Sequence, residues 1–253
     1  MTGILLRGEK LSRIFEQGNR KNQILNEVDI EVYQNDFTVI MGSSGAGKST
    51  LLYTLSGMDR NNTGKVFYHD FEITGLKEKQ MAKIRAEEFG FIFQQMNLIS
   101  NLTLMENILV AGYVGKKHTA IEVKEYAGRL VRQMNLENAC DRLPSQVSGG
   151  EAQRAAIARA IISNPGIVFA DEPTGALNRS NSVEVLNLLT ELNRQKQSIV
   201  MVTHDLRAAV RGNRILYMED GKILDEYKLP FYSELDEKER ENEINLWLTG
   251  LRW

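Results

Sequence analysis

The sequence predicts an α/β fold with a central, mostly parallel sheet. Three apolar runs, at residues 37–41, 167–170 and 199–202, are nearly unbroken, and polar residues follow each of them. Strands that are buried on both faces of a parallel sheet have this pattern, and ligands bind beyond their carboxyl ends. Helical patterns lie between the runs, as crossover connections require. We therefore expect these three runs to form the core of the sheet.

Antiparallel strands are predicted beside the central sheet. Residues 28–33 alternate between apolar and polar side chains, and so do the runs 214–218 and 222–226. Asp220 and Gly221 lie between the last two runs, and this pair is a strong signal for a type I′ hairpin. We expect an antiparallel β subdomain with one exposed face, and further β-type runs lie at residues 3–6, 65–68 and 89–93.

The stretch from residue 95 to residue 147 has no β-type pattern. Helical patterns occupy it instead, at residues 104–111 and 120–134. We expect this stretch to be a helical subdomain that is inserted into a main domain covering residues 1–230.

Residues 231–253 are predicted to form an amphipathic helical tail. The segment is rich in charge, but four apolar residues recur at the spacing of one helix face: Ile244, Trp247, Leu248 and Leu251. This stripe packs either on its own domain or on a second subunit, and the sequence leaves both alternatives open.

Composition and charge exclude several classes of protein. The 253 residues are 42% hydrophobic and 25% charged, which is ordinary for a globular protein with a substantial core. A formal net charge of -2 gives no general attraction to nucleic acid or anionic lipid. The sequence contains no run of about 18 apolar residues and no signal-peptide pattern. We expect a cytoplasmic chain with no nucleic-acid partner.

A glycine-rich loop supplies the first chemical signal. It reads GSSGAGKST, follows the apolar run 37–41 and precedes a helical stretch at 51–55. Glycines let the backbone curl with its N–H groups pointing inward, lysine adds a positive charge, and a serine hydroxyl can bind Mg²⁺. The loop is predicted to hold a triphosphate with Gly42, Ser43, Ser44, Gly45, Ala46, Gly47, Lys48, Ser49 and Thr50.

Two adjacent acids follow the second apolar run. Asp171 ends the strand pattern and Glu172 comes directly after it. In a chain that also carries a phosphate-binding loop, the two acids of such a pair are expected to have different roles. Asp171 is predicted to hold Mg²⁺ through a water, and Glu172 to polarise the attacking water as the general base.

A second anion-binding signal lies at residues 148–150. Ser148, Gly149 and Gly150 come just before a helix with small apolar residues on one face, so free N–H groups and the positive helix end are available to an anion. One nucleotide does not need two such sites from one chain. We therefore expect each copy of the chain to present this loop to the nucleotide that another copy holds.

Five motifs in a fixed order give the chain a resemblance to a known family. GSSGAGKST, FIFQQ, VSGGE, VFADEPTGALN and VTHD resemble the nucleotide-binding subunit of an ABC transporter over residues 3–226. The resemblance implies a P-loop NTPase fold of the ABC type, with ATP and Mg²⁺ bound and ATP hydrolysed. It also implies a second copy of the ATPase subunit and a separate transmembrane permease, through which membrane contact is indirect.

The resemblance gives the matching residues their roles. Residues 42–50 become the Walker A loop, in which Lys48 is also catalytic, and Asp171 and Glu172 become the Walker B pair. Gln94 becomes the glutamine that senses Mg²⁺ and faces the permease. Because Gln95 stands beside it, this assignment is ambiguous by one residue, and we favour Gln94 because it directly follows the apolar FIF run.

Three further positions follow from the same resemblance. Residues 148–150 become the signature that closes on the γ-phosphate of the opposite subunit, and His204 becomes the switch histidine. Phe15 lies where the family has an aromatic ring that stacks on adenine. The alternative interpretation, that Phe15 packs in the hydrophobic core, is left open by the sequence. Two residues depart from the usual pattern: Glu151 replaces a glutamine and Asn178 replaces an aspartate. We expect activity in spite of both.

The most specific of the predictions concerns the transported substrate. FIFQQMNLISNLTLMENI and ADEPTGALN resemble most the group of lipoprotein-release, macrolide-efflux and bacitracin-resistance ATPases. The string GALN and the tail favour antimicrobial peptide resistance, with the permease held near residues 98–107. The alternatives are a lipoprotein-release or macrolide-efflux transporter, a non-transport ABC ATPase, and a binding module without ATPase activity.

Overall fold

The computed structural model describes residues 3–18, 20–60 and 62–251, and these form two compact units. The first unit contains the described residues up to Lys77 and from Asn193 onward, and the second contains Glu78–Leu192. No helix in the described ranges is long and apolar enough to cross a membrane. The division into residues 1–230, an insertion at 95–147 and a tail at 231–253 stays a prediction.

Strands and helices are interspersed along the described chain. The strands are β1 Ile4–Gln17, β2 Arg20–Tyr33, β3 Phe37–Met41, β4 Thr63–Tyr68, β5 Phe71–Glu72, β6 Phe89–Ile92, β7 Ile167–Asp171, β8 Ser198–Val202, β9 Arg214–Glu219 and β10 Lys222–Lys228. The helices are α1 Lys48–Leu55, α2 Glu78–Glu87, α3 Leu104–Val114, α4 Ala120–Gln133, α5 Gly149–Ile161, α6 Arg179–Arg194, α7 Leu206–Ala209 and α8 Glu237–Gly250.

The first unit contains an antiparallel sheet in the order β2-β1-β4-β5. This confirms the predicted antiparallel β subdomain, but β1 and β2 are far longer than the runs at 3–6 and 28–33 indicated. The register of this pair shifts where Lys10 and Glu27 adopt positive φ, at 47° and 49°. Such irregularities break the alternation by which a strand is recognised in sequence, so the long hairpin was missed.

The first unit also contains the strands β10-β9-β3-β8, and β3 pairs in parallel with both β8 and β9. Every residue of β3 and β8 is buried, which confirms two of the predicted core strands. β9 and β10 form an antiparallel hairpin whose turn residues, Asp220 and Gly221, have φ of 45° and 74°. Positive φ at both positions is what a type I′ turn requires, so this prediction is also confirmed.

The second unit pairs β6 with β7 in parallel and packs helices around them. All of β7 is buried, as predicted for the third core strand. α5 packs on β6 and on α3, and α3 packs on α4. α3 and α4 confirm the predicted helices, and each begins with a capping box, formed by Thr103 with Glu106 and by Thr119 with Glu122.

The C-terminal helix α8 packs within the first unit. Ile244 and Leu248 are fully buried. The Trp247 indole stacks on Tyr227 with 5.4 Å between ring centroids, and its Nε1 donates to a carboxylate oxygen of Asp225 at 2.8 Å. The apolar stripe is therefore covered by its own unit, which is the first of the two predicted alternatives.

An ion pair between buried Arg214 and half-buried Glu226 predicts a pH dependence of stability. Arg214 donates to both carboxylate oxygens of Glu226, at 2.7 and 3.1 Å. This hydrogen bonding lowers the pKa of Glu226 below its ordinary value of 4.5. A depressed folded pKa stabilises the protein above the unfolded pKa, and the contribution is lost as pH falls through the folded pKa. Glu226→Gln should therefore flatten the fall in unfolding free energy below about pH 4.5.

Urea unfolding between pH 3 and pH 7 checks this expectation, with the exposed Glu125 changed to Gln as the control. The control should keep the slope of the parent chain in this acid range. A Glu226→Gln variant whose curve runs parallel to the parent at every pH would show that the pair does not couple to folding.

Candidate functional site

The glycine-rich loop connects β3 to α1 in a conformation that only glycine allows. Gly42, Gly45 and Gly47 have φ of 152°, 86° and 99°. A Cβ added to Gly42 would lie 2.0 Å from the Met218 carbonyl oxygen, and one added to Gly47 would lie 2.6 Å from that of Ile24. Both distances are far inside contact range. The backbone is therefore shaped so that its amides are not screened by side chains, which fits a phosphate group.

Lys48 is the first residue of α1 and lies in the loop. Its side chain is buried, with 8% of the residue exposed, and its ammonium donates to the carbonyls of Gly42 and Ser43 at 2.8 Å each. Gly47 precedes the helix and contributes no side-chain cap. A helix start without a side-chain cap and a buried ammonium together form a positive environment that suits a polyphosphate.

His204 lies near this loop within the first unit. It follows β8, whose partner β3 ends directly before Gly42, and the amide of Thr203 donates to the carbonyl of Ile40 at 3.2 Å. His204 is exposed, and the side chain of Asp205 caps α7 by accepting from the Arg207 amide. The structure therefore brings His204 and the glycine loop to the carboxyl ends of two adjacent parallel strands.

Phe15 lies on β1, also in the first unit. Phe15 is 46% exposed, so the alternative prediction that it packs in the core is wrong. The guanidinium of Arg13 lies 4.1 Å from the ring centroid, and Arg13 is itself held by Asp59 at 2.7 Å. A half-exposed ring is compatible with stacking on a planar base, and that role stays a prediction.

The second unit brings together the acids and the glutamine. Asp171 is the last residue of β7 and is 8% exposed, whereas Glu172 is half-buried with φ of 46°. A non-glycine residue in this region is strained by about 1 kcal/mol, and such strain occurs at functional sites. Ile92 of β6 pairs with Ala170, so Gln94 and the acids follow neighbouring parallel strands.

Gln94 lies against the loop that follows the acids. A Cβ added to Gly175 would lie 2.8 Å from the Gln94 amide nitrogen. Gln94 and Gln95 are both exposed. The choice of Gln94 over Gln95 and the role of Gln94 as a Mg²⁺ sensor both stay predictions.

Ser148 is the N-cap of α5, which begins at Gly149. The expectation of free N–H groups at this helix start is wrong for the amides of Ser148 and Glu151, because a capping box pairs both. A Glu151 carboxylate oxygen accepts both the amide and the hydroxyl of Ser148, each at 2.7 Å, and the Ser148 hydroxyl accepts the Glu151 amide at 3.2 Å. These hydrogen bonds lower the pKa of Glu151. A Cβ on Gly150 would lie 2.7 Å from the side chain of Asn181, so a larger residue there would displace it. The departure at Glu151 therefore completes a capping box.

The other departure, Asn178, also has a structural role. Its side-chain oxygen accepts the amide of Asn181 at 2.9 Å, directly before α6. Asparagine and aspartate cap helices about equally well. The replacement therefore keeps the geometry of the loop after the Walker B acids.

Two polar residues of α5 were missed by sequence reasoning. Gln153 is 1% exposed and donates to the carbonyl of Pro173 at 2.9 Å, directly after Glu172. Arg159 donates to the carbonyls of Met96 and Asn97 at 2.8 and 2.5 Å, and burial lowers its pKa. The available signal was the presence of polar residues on a helix whose buried face is otherwise apolar.

The predicted magnesium residues have suitable chemistry. Ser49, Gln94 and Asp171 offer a hydroxyl, an amide and a carboxylate. No group of three or more His, Cys, Asp or Glu side chains gathers within the described ranges. Mg²⁺ in nucleotide sites keeps several waters and uses one or two carboxylates plus phosphate oxygens, so the donor set fits.

These features define a class of protein. A buried strand, a loop of positive-φ glycines and a helix that begins with a buried lysine form a P-loop. β7 ends at Asp171, and Glu172 follows it directly. Residues 25–175, more than half of the chain, match the family model described as ABC transporter. The chain belongs to this family, and it is an ATPase that binds ATP with Mg²⁺.

Relatives and solved structures agree with this assignment. The macrolide export ATP-binding/permease protein MacB of Vibrio parahaemolyticus serotype O3:K6 (strain RIMD 2210633) is 37% identical over 225 residues. The match covers 88% of this chain but 34% of that protein, so the chain spans about a third of that relative's length.

Two solved structures of the cassette MJ0796, described as a bacterial ABC transporter cassette, share the fold. Its dimeric post-hydrolysis state bound to ADP and Pi has a TM-score of 0.83 and 33% identity to this chain. A second dimeric structure has the same TM-score and 34% identity. Each match covers 90% of this chain and all of that one, which confirms the predicted P-loop ABC fold.

Proposed function

We propose that two copies of this ATPase close around MgATP and drive a transmembrane permease. The observation that carries the proposal is that one chain has two helix starts, one at Lys48 after the glycine loop and one at Gly149 after Ser148. We infer that both contact phosphate groups. One start holds the phosphates of its own nucleotide, and the other contacts the γ-phosphate held by the partner copy. The dimeric state described for MJ0796 supports this pairing.

The proposed mechanism divides the work among the chain's own residues. The amides of residues 42–50 and the Lys48 ammonium hold the phosphates. Ser49, Gln94 and Asp171 would hold Mg²⁺, which would neutralise developing negative charge. Glu172 accepts a proton from the attacking water as the general base. Gln94 and His204 complete the environment of the γ-phosphate.

The charge of the γ-phosphate controls whether the two copies are closed on each other or separate. The loop 148–150 of one copy lies against the γ-phosphate that the other copy holds. The amides of Gly149 and Gly150 are the proposed donors, because both donors of Ser148 are bonded to Glu151. Their hydrogen bonds add attraction across the interface. Once the γ-phosphate is lost, this attraction is lost as well, and the two copies separate. The pair thus acts as a clamp that moves whatever is attached to it.

A permease is the proposed attachment, held near residues 98–107. The relative named an ATP-binding/permease protein supports this coupling. The ATPase would then lie at the cytoplasmic face of the membrane, with indirect membrane contact and no nucleic-acid partner. Co-expression with the permease and co-purification in detergent test this arrangement, and recovery with nucleic acid instead would contradict it.

Antimicrobial peptide resistance is the proposed physiological role, based on the GALN string and the tail. Macrolide efflux is the second candidate, because the relative is named for macrolide export. Deleting the gene should sensitise cells to bacitracin-type peptides and leave the macrolide response unchanged. Sensitivity to macrolides alone would favour the second candidate.

The Glu151 capping box predicts an effect on dimer closure. Its carboxylate places a negative charge at the helix start that is proposed to contact the partner's γ-phosphate. Glu151→Gln removes this charge but keeps an acceptor for Ser148. We expect the ATP concentration for half-maximal dimerisation to fall about fivefold, as measured by light scattering with hydrolysis blocked.

Glu122→Gln is a matched control for this prediction. Glu122 accepts the amide and hydroxyl of Thr119 at 2.7 and 2.8 Å, which is the same capping box on α4. The control should leave dimerisation unchanged. Equal shifts in both variants, or no shift in Glu151→Gln, would contradict the proposed position of the Ser148 loop.

A further inference from the structure

A buried arginine connects the C-terminal helix to the turn after α7. Arg240 of α8 is 2% exposed. Its Nε donates to the carbonyl of Val210 at 2.9 Å, and its two terminal nitrogens donate to the carbonyls of Pro230 and Gly212 at 2.8 and 2.5 Å. All three acceptors are backbone groups, so the guanidinium fixes main-chain positions.

The short helix α7 is held by hydrogen bonds at both of its ends. It has only four residues, and a helix this short has too few internal hydrogen bonds to offset the cost of forming its first turn. The side chain of Asp205 accepts the Arg207 amide at its start. At its other end, Arg240 binds the carbonyls of Val210 and Gly212. The residue directly before this capped segment is His204.

Both flanks of α7 are also tied to β3. The Thr203 amide donates to the carbonyl of Ile40, near the end of that strand. At its beginning, the Phe37 amide donates to the side chain of Asn213 at 2.7 Å. The segment between Thr203 and Asn213 is thus fixed at both ends, and Arg240 adds hydrogen bonds to the buried part between them.

The guanidinium of Arg240 is buried, and its hydrogen bonds offset the cost of that burial. Burying a guanidinium costs free energy unless its donors are paired, and burial lowers the pKa of Arg240. The Tyr232 ring lies 4.3 Å from the Arg211 guanidinium carbon and 5.7 Å from that of Arg240. Burial and a hydrogen bond to Glu237 raise the pKa of Tyr232 to about 12, so this phenol stays neutral.

The rest of α8 docks by apolar contact. Ile244 and Leu248 are fully buried and supply packing without directional bonds. Apolar packing holds a helix on a surface but does not fix the angle of a neighbouring turn. Two directional hydrogen bonds, to the carbonyls of Val210 and Gly212, do fix it. Arg240 therefore adds geometric control that docking does not require.

We propose that Arg240 is a positioning residue for ATP hydrolysis, which holds α7 from the C-terminal helix and thereby fixes the orientation of His204. The inference rests on the proposed role of His204 at the γ-phosphate. Arg240 does not touch the nucleotide in this scheme. Its effect is on the turnover step, because the nucleotide is held by the glycine loop and Lys48.

The first test compares Arg240→Ala with the full-length parent chain. We expect kcat to fall about tenfold with the KM for ATP within about twofold, because misplacing a catalytic group slows chemistry more than binding. Hydrogen exchange of the amides at residues 204–212 should accelerate in the same variant, which is a readout independent of activity. Arg240→Lys should restore part of both, since an ammonium can bond to fewer of the three carbonyls.

Trp247→Ala is the matched control on the same helix. It removes the Asp225 hydrogen bond and the Tyr227 stacking but leaves the Arg240 contacts in place. We expect its kcat within about twofold of the parent and unchanged exchange at residues 204–212. An equal loss in Trp247→Ala and Arg240→Ala would mean that tail docking in general is responsible, and the inference would be wrong.

A double-mutant cycle with His204→Ala gives the decisive measurement. If Arg240 acts through His204, then Arg240→Ala should lower the single-turnover rate no further in the His204→Ala background. Additive losses would overturn the inference. If Arg240→Ala does not fold, as judged by circular dichroism, the same cycle with Arg240→Lys decides the question.

These measurements distinguish a failure of the proposed His204 role from a failure of the inference about Arg240. If His204→Ala keeps the full rate of the parent, the proposed role of His204 is wrong and the inference is wrong with it. If His204→Ala is impaired while the Arg240 variants match the parent in kcat and in hydrogen exchange, only the inference about Arg240 fails.

Discussion

Glu172→Gln is expected to bind MgATP with parent-like affinity while its turnover falls by about 10³-fold. A general base contributes roughly 10²- to 10⁴-fold to a rate, and glutamine of the same shape cannot accept the proton of the attacking water. Glu172 directly follows Asp171 at the carboxyl end of β7, in a positive-φ conformation that turns it out of the strand. Phosphate release from the purified chain measures the effect.

The same variant should accumulate closed dimers in the presence of MgATP. Without hydrolysis the γ-phosphate stays in place, so the proposed contact with residues 148–150 of the partner copy persists. Size-exclusion chromatography with and without ATP detects the dimer. Exposed Glu125 changed to Gln is the control and should cycle normally. Undiminished phosphate release from Glu172→Gln would refute its role as the base.

Lys48→Ala is expected to weaken MgATP binding by about 10²-fold or more. The ammonium is buried beside the carbonyls of Gly42 and Ser43, where a charge-assisted hydrogen bond to phosphate is worth about 1.5–3 kcal/mol and more than one is lost. Titration with a fluorescent ATP analogue gives the dissociation constant.

The control for this change is the exposed Lys124→Ala on α4, which should bind like the parent. Circular dichroism should show that Lys48→Ala is folded, since the glycine loop keeps its own backbone conformation. Unchanged affinity in a folded Lys48→Ala variant would contradict the assignment of residues 42–50 as the phosphate cradle.

Much of the site was predictable because its chemistry requires adjacent residues. A phosphate loop needs glycines and a lysine within nine positions, and Gly42, Gly47 and Lys48 have the conformations that this requires. Asp171 and the helix start near Ser148 were also predictable, because strand ends and helix starts are local features of sequence. The structure places Asp171 at the end of β7 and Ser148 directly before α5, where it acts as the N-cap.

Other parts of the site depend on contacts that sequence spacing does not reveal. Gln153 donates to Pro173, twenty residues away, and Arg159 donates to Met96, across sixty-three residues. Neither contact repeats with a helical or strand period, so no pattern indicates it. The long β1–β2 hairpin was missed for a related reason, because its register shifts interrupt the alternation of side chains.

The sequence by itself determined the α/β class, the three buried core strands, the hairpin at Asp220 and Gly221, and the order of the nucleotide-binding motifs. These are properties of short segments, fixed by backbone sterics and by the periodicity of apolar side chains. Only the tertiary structure decided that the tail packs on its own unit and that Arg240 holds the turn after His204. Such contacts join residues that are far apart in sequence, and their energies depend on burial and distance, which exist only once the chain has folded.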